Sequence, residues 1–321
     1  MKNYLLQSGY FFKIVAYSTI ILGIICNLSC NSQNDLEKKE RIRLESVFPQ
    51  RIISTAPSIT EILFELNLGN QVVGVSRFCH YPPEVNSIPK VGGLYDPNIE
   101  AIVQLKPDLV IILEENVDLE QQLKSFNIKT LAVNHQTIDN ILDSFEKIGK
   151  TCGPKYENNG IALKKRMQNR FNEIQAKTRN LGQPNVLIAI DRSKGIGTIS
   201  DLFVAGNNPF YNDIIKWAGG QNVAQNLVMP APILSLEGIY ELNPDVIIDL
   251  STDGNVLNEN KDQILCEYQK DWLSLGTSIP AIRNKQIYPI PYDYATIPGP
   301  RIIILIETLA KILHPDQDFV F

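Results

Sequence analysis

The chain is poor in the residues from which catalytic and metal centres are built: its 321 residues include three histidines, five cysteines and two tryptophans. His80, His135 and His314 lie in no metal-ligand spacing with one another, and a general-base constellation is hard to assemble from so few imidazoles. There is no Cys-x-x-Cys, P-loop, G-x-S-x-G elbow or H-E-x-x-H, and Gly195-Ile196-Gly197 lacks the third glycine of a dinucleotide fingerprint. An exported enzyme of doubly wound α/β type therefore draws little support, and the reading is a chain that is not an enzyme. Basic runs with interleaved aromatics are also missing and the net charge is -5, which argues against nucleic acid as a partner. Adjacent Cys79 and His80 are both able to bind transition metals, but neighbours on an extended segment point opposite ways, so no metal site is expected there.

Long apolar runs are scarce as well. The one at residues 14–28, preceded by Lys2 and Lys13, is short for a transmembrane helix and has the form of a signal h-region. It ends at Leu28-Ser29-Cys30, which resembles the lipobox of bacterial lipoproteins. The resemblance implies a signal segment over residues 1–30, lipidation of Cys30 and anchorage in the cell envelope of a bacterium. Asn27 stands where that motif prefers leucine, and a soluble secreted protein or a retained anchor is the alternative. Residues 31–47 are polar and charged, as a flexible tether would be. Export permits disulfides. Setting aside Cys26 and Cys30 leaves Cys79, Cys152 and Cys266, an odd number in which at most one pair can form, and partly buried free thiols are expected for all three.

Against these absences stands one repeat. Residues 98–113 read NIEAIVQLKPDLVIIL and residues 235–250 read SLEGIYELNPDVIIDL. They match at Glu100 and Glu237, Ile102 and Ile239, Leu105 and Leu242, Pro107 and Pro244, Asp108 and Asp245, Ile111 and Ile248, and Leu113 and Leu250, where composition alone would give about one match. Each copy opens with an N-cap residue, Asn98 or Ser235, and carries apolar residues at helical spacing until a proline stops the helix. A short apolar run suited to a doubly buried strand follows, with Asp249 as its one polar intruder. A helix leading into a buried strand, written once in each half, implies two similar α/β lobes.

Strands are expected at residues 51–55, 71–75, 109–113 and 129–133, alternating with helices, and this alternation argues for a parallel sheet. The helix after Ser58 should close at Gly69. Leu163, Met167, Phe171 and Ile174 form a stripe at steps of four, four and three in a charged segment, which predicts one helix from about residue 156 to 180, roughly 35–40 Å long. The organisation expected is a first lobe over 48–153, a linker helix over 154–181 and a second lobe over 182–321: two Rossmann-like α/β lobes joined by a single long rigid helix.

Arg51-Ile52-Ile53-Ser54, then Pro57-Ser58-Ile59-Thr60-Glu61, residues 72–75, Tyr81-Pro82-Pro83, residues 98–112 and Pro300-Arg301 occur in the order found in a known family. Over roughly residues 50–313 the chain resembles the substrate-binding proteins of ABC importers for iron-siderophores, haem and cobalamin, nearest the cobalamin-binding branch. The resemblance implies a ligand held between two lobes with modest closure, no intrinsic cofactor, a metal chelate as cargo, and a monomer that hands it to a dimeric permease. It implies that Glu100 and Glu237, one on each lobe, dock on that permease; a glutamate in a first helical turn also simply favours the positive end of the dipole.

Ligands of parallel α/β lobes sit beyond the carboxyl ends of the strands, here near residues 76–80, 93–96, 192–195 and 292–296. Phe78, Tyr95, Tyr292 and Tyr294 offer aromatic faces, while Arg77 and Arg192 could meet carboxylate or phosphate. In the cobalamin comparison Phe78 replaces a binding tyrosine and Asp293 matches a binding aspartate. Leu94, Leu113 and Ala231 stand where that binder has tryptophans, and Ile297 where it has arginine. A corrinoid is therefore placed ahead of a ferric siderophore or haem. A lipid-anchored ligand sensor with the same fold is a further reading, separated from an importer component only by the two glutamates.

Overall fold

The computed structural model describes residues 47–250 and 269–319. The signal segment, Cys26, Cys30 and Cys266 lie outside them. In the first lobe β1 (Ile52–Ser54), β2 (Val72–Val75), β3 (Leu109–Leu113) and β4 (Thr130–Val133) form an all-parallel sheet in the order β2-β1-β3-β4. Helices α1 (Pro57–Glu65), α2 (Ile99–Gln104), α3 (Val117–Ser125) and α4 (Ile138–Cys152) occupy the connections, and the 25-residue α5 (Pro154–Thr178) follows. The second lobe contains β5 (Asn185–Asp191), β6 (Leu202–Val204), α6 (Pro209–Trp217), β7 (Gln221–Asn222), β8 (Ile233–Leu234), α7 (Leu236–Leu242), β9 (Val246–Asp249), α8 (Pro280–Arg283), β10 (Ile287–Pro289) and α9 (Ile302–Leu313).

Its parallel pairs, β7 with β5, β5 with β9 and β9 with β10, repeat the order of the first sheet. Antiparallel β6 and β8 extend it beyond the free half of the β5 edge, so the second sheet is mixed.

The repeat owes most of its shared residues to local geometry. The Asn98 and Ser235 side chains accept hydrogen bonds from the third-residue amides of their helices, Ala101 and Gly238. Each helix ends on a left-handed residue, Lys106 at φ 47° or Asn243 at φ 46°, and the proline that follows cannot re-enter it. The aspartates make the same bond twice: Asp108 accepts from the Arg51 amide at 2.9 Å and Asp245 from the Asn185 amide at 2.9 Å, which starts the neighbouring strand in register. Gly69 does not close α1. Asn67, at φ 64°, takes the left-handed position, and Gly69 is glycine because a Cβ there would lie 2.8 Å from the Phe64 ring.

Strand alternation divides each sheet between two cores. Ile53, Val110 and Ile112 face a cluster private to the first lobe, and Leu187, Ala189 and Ile247 face one private to the second. The opposite faces, with Ile52, Ile111, Val186 and Ile248, belong to one continuous core that also takes Leu163, Met167, Phe171 and Ile174 of α5 and the buried face of α9. At about 1.5 Å per residue α5 is about 38 Å long, and it packs on both lobes. It lies close against α4 because each supplies a glycine where the other's backbone passes. A Cβ at Gly160 would sit 2.3 Å from the Phe145 carbonyl oxygen, and one at Gly149 2.3 Å from that of Tyr156. Farther along, Phe171 meets Trp217 of α6 at 5.3 Å between ring centroids.

Two buried polar clusters are satisfied within their own lobes. His135 lies between Ser58 Oγ at 2.9 Å and Ser144 Oγ at 3.0 Å. Ser144 donates onward to the Ile141 carbonyl, which suits a neutral imidazole donating from Nε2. Burial holds His135 at about 3, far below the usual histidine range. In the second lobe Asp249, the polar intruder in β9, accepts from Arg192 Nε at 2.8 Å and Trp272 Nε1 at 2.8 Å. Asp271 accepts from Arg192 Nη1 at 2.7 Å and from the amides of Gly195 and Gly197. Burial opposes ionisation of Asp271, but those donors outweigh it and hold the carboxyl below its ordinary value. The Gly-x-Gly stretch is thus an anion nest for a side chain of its own lobe.

Two outcomes check this packing. Gly160→Ala should destabilise the protein by about 1–3 kcal/mol by urea denaturation, since the methyl meets backbone that cannot yield, whereas Gly182→Ala, with nothing within 4 Å, should leave the midpoint in place. Because the folded pKa of His135 lies below the unfolded one, the unfolded chain binds the extra proton between pH 6.5 and about 3. Stability is therefore undiminished above pH 6.5 and falls on acidification by up to about 1.4 kcal/mol per pH unit. His135→Gln should flatten that slope in urea midpoints measured across the window, and an unchanged slope would contradict the assignment.

Candidate functional site

The loops that leave the carboxyl ends of β2 and β10 carry most of the expected ligand residues. After β2, Ser76 and Cys79 turn inward while Arg77, Phe78 and His80 are exposed. Cys79 Sγ lies 3.1 Å from Thr60 Oγ1, and burial pushes the thiol up, so it is held as a thiol facing away from His80. Cys79 and Cys152 are free thiols, and burial raises Cys152 to about 12. Among the described residues no group of three or more His, Cys, Asp or Glu side chains is placed to hold a metal ion.

Arg77 is stretched across a tight turn. Its guanidinium stands 5.1 Å from the Phe78 ring centroid and pairs with Asp96 at 2.9 Å. Gly92, at φ 95°, lets the 91–97 loop fold back, since a Cβ there would meet the Asn98 amide at 2.5 Å. Tyr95 at the tip of that loop is 85% exposed. A hollow of about 460 Å³ lies between this loop and the start of α3, with Leu94, Tyr95 and Asn116 in its walls. Leu113, at a tryptophan position of the cobalamin comparison, is buried in the core, whereas Leu94 is half-buried and Ala231 exposed.

After β10, Tyr292 and Tyr294 stack with centroids 5.2 Å apart and planes 10° from parallel. Asp293 between them receives both terminal nitrogens of Arg301, at 2.8 and 3.0 Å. Arg301 is the centre of the arrangement. It also donates to Glu61 of α1 at 2.6 Å, lies 4.2 Å from the Tyr81 ring centroid and 5.9 Å from that of Tyr294. One guanidinium therefore ties α1 and the β2 loop of the first lobe to the β10 loop of the second. Burial of Glu61 raises its pKa, partly offset by Arg301, and leaves Oε2 without a hydrogen-bond partner. A groove of about 550 Å³ opens beside the junction, with Tyr81, Leu163, Met167, Arg170 and Arg301 among its walls.

Tyr292, Asp293 and Tyr294 thus come together, and Arg77, Phe78 and Tyr95 share the first-lobe surface around Asp96. Arg192 is a correction: its side chain is 0% exposed, and its bonds to Asp249 and Asp271 make it a structural ion pair within the second lobe, not a ligand contact. Arg301, Glu61 and Tyr81 are the residues that pattern reading passed over as site members. All three stood only in resemblance motifs, and nothing local marks Glu61 and Arg301 as a pair separated by 240 positions.

Glu100 and Glu237 sit in the first turns of α2 and α7, both exposed. Neither has a hydrogen bond or ion pair among the described residues, in contrast to the other polar residues that the repeat shares.

Comparison with known proteins fits this architecture. A Bacillus subtilis protein named as an uncharacterized ABC transporter substrate-binding lipoprotein, YvrC, is 31% identical over 276 residues, covering 84% of this chain and 81% of that protein. The vitamin B12-binding protein of Vibrio parahaemolyticus is 25% identical over 260 residues, covering 79% of this chain and 86% of its own length. The crystal structure of the periplasmic heme-binding protein HutB of Vibrio cholerae superposes with a TM-score of 0.69 at 24% identity, over 83% of this chain and 99% of that one, which shows a shared fold. The family described as periplasmic binding proteins matches residues 52–294, most of the chain. This protein belongs to that family.

Proposed function

We propose that this chain is the substrate-binding component of an ABC importer, a binding protein with no catalytic role, which captures a metal chelate beside the β2 and β10 loops and delivers it to a dimeric permease. The observation that carries the delivery step is the pair Glu100 and Glu237. Caps, left-handed turns and strand-starting aspartates account for the other polar residues the repeat shares, whereas these two carboxylates stand exposed, and unpaired among the described residues, at equivalent places. Two lobes related by a pseudo-two-fold suit a partner of two symmetric subunits, and opposite charge on that partner would orient encounter.

A corrinoid is the first choice of cargo. The stacked Tyr292–Tyr294 pair offers a broad face, Asp293 a carboxylate, and Phe78, Arg77 and Tyr95 a second polar and aromatic surface. Haem is the second reading, favoured by Tyr81: its partly exposed phenol supplies the oxygen ligand that suits a ferric centre. On this reading residues 48–153 and 182–321 are the gripping lobes, 154–181 their spacer and 31–47 a tether from a lipid on Cys30, and the protein acts outside the cytoplasm as a monomer.

Wild type and the Glu100→Lys/Glu237→Lys double variant should be compared in thermal melts with hydroxocobalamin, haemin and ferric siderophores, and in cellular uptake of the one that binds. Ligand at about a hundred times its dissociation constant should stabilise both forms equally, by about 2.7 kcal/mol. Uptake should be lost in the variant alone. A shift with none of these ligands would remove the metal-chelate assignment, and normal uptake by the variant would remove the docking assignment.

A further inference from the structure

The two docking carboxylates stand in unlike surroundings. Glu237 shares an outer helix face with Tyr240, one turn further along α7, and follows Leu236; both side chains are exposed, and the Tyr240 hydroxyl donates to the Leu275 carbonyl, which holds the ring in place. Ile233, just before the Ser235 cap, is 65% exposed, and its antiparallel partner Phe203 projects from the same face of the sheet. Residues 229–232 continue this edge, since their carbonyls accept from the amides of Val204, Gly206 and Asn207. Met229 there is 60% exposed and Val228 beside it 93%. The corresponding positions beside Glu100 are more covered. Ile99 and Val103, the repeat partners of Leu236 and Tyr240, are half-buried, so that Glu100 has less exposed apolar surface from its own helix beside it.

We propose that the apolar surface around Glu237 is the anchoring half of the docking face, so that the permease engages one apolar prong on the second lobe and one polar prong on the first; this rests on the docking reading above. The charge pattern selects the partner. No Lys, Arg or His occurs between residues 217 and 250, while Glu237 and Glu241 both point outward from α7. An anionic bilayer would repel such a surface. A second copy of the chain meeting it through a two-fold would set Glu237 against Glu237. What fits is a protein surface that offers a basic side chain ringed by apolar contacts, where area removed from water supplies affinity and the ion pair supplies register. The polar prong at Glu100 then acts mainly on orientation and encounter.

The test uses the lipidated full chain. A photo-crosslinking amino acid at position 240 in intact cells should attach to a membrane-spanning subunit next to a lysine or arginine, identified by mass spectrometry. With that permease in nanodiscs, Ile233→Ser/Tyr240→Ser should weaken binding by about tenfold or more. This loss should persist at about 1 M salt, where the screening length is about 3 Å, whereas the loss caused by Glu100→Ala should shrink. Ligand affinity should be unchanged in all variants, which separates docking from misfolding. Binding by Ile233→Ser/Tyr240→Ser equal to wild type, while Glu100→Ala and Glu237→Ala lose it, would overturn the apolar anchor and leave the docking reading standing. Wild-type binding by the two glutamate variants would instead remove the docking reading itself. Loss of binding to phosphatidylglycerol vesicles in the serine variant, or self-association of wild type through this face in ultracentrifugation, would assign the surface to lipid or to a second copy and overturn the proposal.

Discussion

The close approach of α4 and α5 sets the terms for the rest of the molecule. Two glycines, Gly149 and Gly160, let each backbone lie against the other where no Cβ fits, and this fixes the linker helix to the first lobe. The same helix then presents Phe171 and Ile174 to the core of the second lobe, beside α6 and α9. Because one continuous core runs through both junctions, relative rotation of the lobes would open apolar surface to water. A dense interior resists that kind of continuous deformation. The fold therefore supports small adjustments around the site more readily than wide hinge opening.

On this frame the two halves use the same local devices for different ends. Asp108 and Asp245 each begin a strand, and Lys106 and Asn243 each end a helix in the left-handed region. What differs lies around them. The second sheet adds β6 and β8, and the edge they create brings apolar side chains out beside Glu237. Arg301 gathers Glu61, Tyr81, Asp293 and Tyr294 into one cluster, so residues of the proposed ligand site are held by the same contact that joins the lobes.

Much of the architecture was legible in sequence because its signals are local. The continuous apolar runs of β1, β3 and β5, the four-four-three stripe of α5 and the capped repeat each occupy a short window and have a geometric cause. The site was less legible because its bonds are not local. Arg192 reads as a cleft cation until Asp271, 79 positions on, is seen to neutralise it. Gly195 and Gly197 look like a fragment of a phosphate loop, yet their amides serve that same aspartate. Gly69 follows a helix at the distance of a cap, but contact with Phe64 explains it. The glutamates stand out by the opposite route: the family resemblance and the repeat both mark them, where folding asks no more of them than a weak interaction with the helix dipole.

The central claim is that a rigid helix holds two exposed carboxylates at a fixed spacing while ligand is gained and lost. The direct measurement is the distance between spin labels placed at Gln104 and Glu241, beside the two prongs, in frozen samples with and without hydroxocobalamin or haemin. The account predicts one narrow distribution that moves by less than about 2 Å on loading, the scale of pre-organised binding partners. A broad distribution in the free protein, or a displacement of about 10 Å or more of the kind seen in hinge closure, would contradict it.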